Sequence, residues 1–189
     1  MIASAVTFSG AALACGGGAS KAGAPPPPAP VRTLPLAGVF LMGAKDTVPA
    51  DTVAVLTAGQ ARHIVMRIGA PDLTTFADIF FDTLAFQAAP GAPVRITLQP
   101  ADSAFGLVVA SDTPFQNGGE ITFKYAVHFP APTDALAKYG TVQLLERALA
   151  IGRIDGAGNI TLLASTRPAA DNLQAPMAQP GTYLVAAVR

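Results

Sequence analysis

Polar and apolar residues alternate with a period of two through most of this chain. Val94, Ile96 and Leu98 are interleaved with Arg95, Thr97 and Gln99, and Ile121, Phe123, Tyr125, Val127 and Phe129 with Thr122, Lys124, Ala126 and His128. Successive side chains of a strand point to opposite faces, so the pattern predicts strands with one dry and one wet face. Further strands are expected over 52–56, 62–68, 76–81, 105–110, 160–164 and 182–187. Turn residues bound them: Pro90-Gly91, Asn117-Gly118-Gly119, Asp155-Gly156-Ala157-Gly158-Asn159 and Pro180-Gly181 each supply a positive or a fixed φ at a reversal. Many short strands at this spacing suggest a sandwich or barrel, and we read the body, residues 36–189, as an all-β, antiparallel β-sandwich.

Two segments depart from this period. Residues 133–140 carry an N-cap candidate in Thr133-Asp134, two turns of good helix formers and a terminal Gly140, so one short helix is expected there. The Leu, Glu, Arg and Ala content of 142–154 would also suit a helix. A strand is the preferred reading, because Gly140 interrupts the helix and 148–154 faces 160–164 across the 155–159 turn as a hairpin requires. The apolar stretch 34–44 is far short of the roughly 20 residues that span a bilayer, and it is expected to be the first strand of the body.

The N-terminal 35 residues follow different rules. Residues 1–14 hold no charge and end in Ala11-Ala12-Leu13-Ala14, directly before Cys15, the only cysteine. An apolar run with small residues at its end predicts a secretory signal peptide over 1–14. No Lys or Arg precedes the run and it is short, which places the expected natural start upstream. After Cys15 come Gly16-Gly17-Gly18, Pro25-Pro26-Pro27-Pro28 and Pro30, so 15–35 reads as a tether, a glycine coil followed by a polyproline spacer of about 3.1 Å per residue.

Ala12, Leu13, Ala14 and Cys15 resemble the lipobox of bacterial lipoproteins, although Leu stands one position later than that motif prefers. The resemblance implies lipidation at Cys15, which becomes the first mature residue and carries the acyl chains. It further implies a membrane partner through that anchor and a place in the cell envelope, with Gly16 compatible with the outer membrane. A lone thiol can also serve as a nucleophile or as a small buried hydrophobe. The glycine tether offers neither the neighbouring base nor the pocket that a catalytic thiol needs.

Composition narrows the function classes. With 51% hydrophobic and 13% charged residues, the chain has ample material for a core, and disorder is excluded for the body. The formal net charge is zero and the twelve basic residues are scattered, which argues against nucleic acid as a partner. A single cysteine leaves no intramolecular disulfide. His63 and His128 lie in predicted strands far apart, short of the three or four converging ligands a zinc site uses, so no metal and no cofactor is expected. Ser103, Ser111 and Ser165 lie outside any Gly-x-Ser-x-Gly elbow, so no catalytic residue is assigned. The 155–159 segment lacks the further oxygen ligands of a calcium loop and reads as a hairpin turn. Gly16 to Lys21 lacks P-loop spacing. Phe76, Phe80, Phe81 and Phe86 could form a contact surface if exposed, but are better placed in the core.

The strand at 94–98, Pro114-Phe115 before 121–125, Gly152-Arg153-Ile154-Asp155-Gly156 with Leu162-Leu163, and the closing Gly181-Thr182-Tyr183-Leu184-Val185 together resemble the ZU5-like β-sandwich of secreted and surface proteins of bacteria. Asn159 and Ile160 stand where those domains usually carry an aromatic residue. The resemblance covers about half the chain and implies a scaffold or interaction module. The expected function is therefore a non-enzymatic, lipid-anchored envelope protein presenting a β-sandwich for structural or binding duty. The alternatives are a soluble periplasmic or secreted enzyme of unrecognised class, or a subunit of an envelope complex with an unknown protein partner.

Overall fold

The computed structural model describes residues 31–44, 47–71, 73–124 and 129–189. The expected signal peptide, Cys15, most of the expected tether, His128 and the 125–127 part of the alternating run lie outside the described residues. Among the described residues twelve strands form two antiparallel sheets, as the period of two predicts. In chain order they are β1 (Arg32–Pro35), β2 (Val39–Leu41), β3 (Thr52–Thr57), β4 (Arg62–Arg67), β5 (Thr75–Phe81), β6 (Pro93–Pro100), β7 (Gly106–Ser111), β8 (Gly119–Lys124), β9 (Ala150–Ile154), β10 (Asn159–Leu162), β11 (Asn172–Met177) and β12 (Gly181–Val188). The larger sheet has the order β1-β10-β9-β12-β7-β6-β3, with β2 also on β12, and the smaller has the order β11-β8-β5-β4.

Alternation sends one set of side chains from each sheet into a shared core. Leu56, Ile96, Leu98, Leu107, Tyr183 and Val185 from the larger sheet meet Met66, Ile79, Phe81, Ile121, Phe123 and Leu173 from the smaller. Phe76, Phe105 and Phe123 pack with centroids 4.9 to 6.0 Å apart, and Phe81, Phe86 and Phe115 form a second cluster at 5.0 to 5.6 Å. Phe76, Phe81 and Phe86 are thus core, as expected. Burying one such side chain is worth about 1.5–3 kcal/mol. The ion pairs of the described residues, such as Lys124–Asp171 and Arg189–Asp134, are solvent-exposed and worth about 0–1 kcal/mol each. Apolar burial therefore dominates the stability.

β5 buries both Phe76 and Ala77 because its register with β4 slips between Met66 and Arg67: Met66 faces Ala77 while Arg67 faces Thr75. The additional residue is Phe76, and the bulge turns it inward without disturbing the outward setting of Asp78 and Phe80.

β12 is buried on both faces. Its second face belongs to a smaller core built around Val39, Ala150, Ile160, Leu162 and Ala186. The segment 32–41 encloses that core: β1 pairs with β10, a short 3-10 turn over Leu36–Gly38 follows, and β2 then pairs with Ala186 to Val188 of β12. The body thus begins its pairing at Arg32, four residues before the boundary expected at 36, and the stretch 34–44 supplies parts of two strands.

The expected helix is α1 (Thr133–Tyr139), which ends at Gly140 with φ 80°. The expected strand over 142–154 is corrected in its first half. Val142–Ala148 is a second helix, α2, started by Thr141, whose hydroxyl accepts the Leu144 N–H at 3.2 Å. Gly140 therefore separates two helices. The second half is β9, joined to β10 by the expected hairpin. Both helices pack on the main core through Ala135, Leu136, Tyr139, Leu145 and Ala148. Lys138 and Tyr139 donate to the Val188 carbonyl at 3.1 and 2.8 Å, tying α1 to β12.

Candidate functional site

The outward face of the smaller sheet gathers the most varied chemistry among the described residues. Register sets two rows across it. His63, Phe80, Glu120 and Pro176 face one another on β4, β5, β8 and β11, and Val65, Asp78, Thr122 and Gln174 form the adjacent row. Two shallow recesses of about 300 and 290 Å³ share Phe80 and Glu120. One is lined further by His63, Asp78, Thr122 and Gln174, the other by Asp82, Asn117, Gly118, Gly119 and Pro176.

Diagonal contacts stitch the rows together. His63 donates from Nδ1 to Asp78 Oδ1 at 3.0 Å, the proton lying on that nitrogen because an ionised carboxylate only accepts. The imidazole also lies against the Phe80 ring, centroids 4.7 Å apart with planes at 37°. On the other side Gln174 donates from Nε2 to Glu120 Oε2 at 3.0 Å. Two carboxylates therefore flank a half-buried aromatic ring, each carboxylate held by a side-chain nitrogen donor.

Backbone approach at the start of β8 sets this geometry. Gly118 has φ 74° and Gly119 follows, and a Cβ would lie 2.0 Å from the Met177 carbonyl oxygen at the first and 2.3 Å from the Phe80 carbonyl oxygen at the second. Only glycine lets β8 enter between β5 and β11 at the point where Phe80 and Glu120 come side by side.

The other candidates are structural. Asp155 Oδ1 accepts the N–H groups of Ala157 and Asn159, both at 2.9 Å, and these bonds, that of Asn159 foremost, hold its carboxyl below the usual carboxylate range. The 155–159 segment is the turn of the β9–β10 hairpin. Ser111 donates to the Thr113 carbonyl, and Ser165 donates to that of Leu163 while accepting the buried Ile151 N–H at 2.9 Å. Ser103 sits with φ 58° in the loop before β7. Arg167, exposed in the loop before β11, donates to the Glu146 and Leu149 carbonyls and ties that loop to the end of α2. Among the described residues no group of three or more His, Cys, Asp or Glu is placed to hold a metal ion, and no helix is long and apolar enough to cross a membrane.

Sequence reasoning places His63 on a strand and identifies Phe80 with the core phenylalanines. The structure sets Phe80 apart, on the outward face against His63. Asp78, Glu120, Thr122 and Gln174 join them without having been singled out. Their outward setting is carried by alternation, whereas their meeting depends on a register spanning four strands. Comparison with known proteins finds no matching family model, no matching curated protein and no matching solved structure.

Proposed function

We propose that this chain is a non-enzymatic, lipid-anchored protein of the bacterial cell envelope. Cys15 carries the acyl chains, the glycine and proline segment after it acts as a spacer, and the sandwich is displayed for structural or binding duty. The observation that carries the reading is the junction at Cys15, where an uncharged apolar run meets a glycine tether at the only thiol of the chain. Such a junction suits acylation of the cysteine followed by a spacer.

Within this reading, the outward face of the smaller sheet is the surface that meets a binding partner. Its recesses are shallow, and a flat face bearing a half-exposed ring and paired carboxylates suits recognition of another surface.

Metabolic labelling with a fatty-acid probe tests the anchor. The parent chain is expected to take up label and the Cys15→Ser variant to take up none. Equal labelling of both, or of neither, contradicts the proposal.

A further inference from the structure

We propose that the free edge of β3 pairs antiparallel with β3 of a second copy of this chain, centred on Ala54, to form a two-fold symmetric dimer. The inference stands independently of the anchor. Among the described residues five strands have an unpaired side, β1, β2 and β3 in the larger sheet and β4 and β11 in the smaller, and β2 is only three residues long with Arg189 donating to its Val39 carbonyl at 3.1 Å. Edge strands are usually blunted by charge, proline, bulges or cover. β1 has Arg32 and Pro35 at its ends. β4 has Arg62 and Arg67 and the register break before Arg67. β11 contains Pro176, and Thr166 bridges to its Gln174. Among the described residues β3 has none of these devices: Thr52-Val53-Ala54-Val55-Leu56-Thr57 is uncharged, free of proline and rich in β-branched residues. Val53 and Val55 on its outward face are 51% and 67% exposed.

The hydrogen-bond direction fits a second strand. Ala58 donates its N–H to the Ala92 carbonyl at 2.9 Å, in line with the register that sets Leu56 against Val94 and Ala54 against Ile96. Backbone groups alternate sides along an antiparallel ladder, so those of Val53 and Val55 point to the free side. With Ala54 on the two-fold axis, Val53 of one copy lies opposite Val55 of the other. The two Val53–Val55 pairs then exchange four backbone hydrogen bonds, and the four exposed valines meet on one face.

The same register continues past both ends of the strand. It sets the exposed Asp51 opposite Thr57 of the other copy, and Thr57 lines a recess together with the exposed Arg62. The contact is isologous, as a two-fold dimer requires. A six-residue strand pair is at the small end of specific interfaces, so the association is weak and concentration-dependent.

The test uses the full chain carrying Cys15→Ser, so that an introduced cysteine is the single thiol. Sedimentation over a concentration series is expected to show a monomer–dimer equilibrium, and the Val53→Lys and Val55→Lys variants are expected to remain monomeric while keeping the parent melting curve. In an Ala54→Cys variant the two Cα atoms meet at about 4.5 Å, within disulfide range, so mild oxidation should link copies much faster than in a Val142→Cys control on α2. A monomer throughout the soluble range, a dimer that survives both lysine variants, or Ala54→Cys linking no faster than Val142→Cys overturns the proposal.

Discussion

Ile160 fills the space in front of Gly152, where an added Cβ would lie 2.5 Å from both Cγ1 and Cδ1 of Ile160 and 3.1 Å from Cδ2 of Leu162. Gly152 is opposite Leu162 on β10 and Leu184 on β12, so the missing side chain allows the smaller core to close over β9. Gly152→Ala is expected to cost about 1–3 kcal/mol through overpacking. Ile160→Ala alone should cost about 2–5 kcal/mol by leaving a cavity. Denaturant unfolding of the two single variants and the double variant checks the relationship: the double variant should be clearly more stable than the sum of the single losses predicts. Additive losses would show that the two positions do not share this space.

Tyr183 predicts a loss of stability in alkali. Its ring is buried in the main core and its hydroxyl donates to the Gln179 carbonyl, and burial pushes its pKa from the usual 10 up to about 12. Between those values the unfolded chain has released the proton and the folded chain has kept it, so stability falls as the pH rises through the window. Two units correspond to about 2.7 kcal/mol. Unfolding free energy measured from pH 9 upward should fall by that order more in the parent than in Tyr183→Phe. Parallel curves for the two proteins would contradict the assignment.

Strand pattern was legible where the chain pairs locally. The alternation of β6 and the Asp155 to Asn159 turn are short-range signals, and the structure has both where the residues place them. β11 was hidden because Pro176 and the polar Asn172 and Gln174 resemble a loop, whereas Pro176 sits on an edge strand whose ladder tolerates a missing N–H. α2 was hidden because Gly140 ends one helix just before Thr141 caps the next. The face around His63 and Phe80 was legible only as separate outward positions, since the register joining β4, β5, β8 and β11 brings together residues more than a hundred positions apart.

The hairpin turn predicts acid sensitivity of the opposite sign to Tyr183. Asp155 is held below its ordinary value of 3.8 chiefly by the Asn159 N–H. A lowered carboxyl contributes stability above its unfolded value and loses that contribution as the pH falls through the folded one. Asp155→Ala should therefore melt below the parent at pH 7, with the gap narrowing as the pH drops below about 4. Thermal melts across pH 2–7 check this, and a gap that stays constant over that range would contradict it.

The fate of the N-terminus carries the functional proposal, and intact mass spectrometry of the full chain expressed in a diderm bacterium and purified from its membranes measures it directly. The account predicts a mature chain that begins at Cys15, lacks residues 1–14 and carries added acyl mass on that residue. A chain that retains the leader, or one whose Cys15 is unmodified, would contradict it.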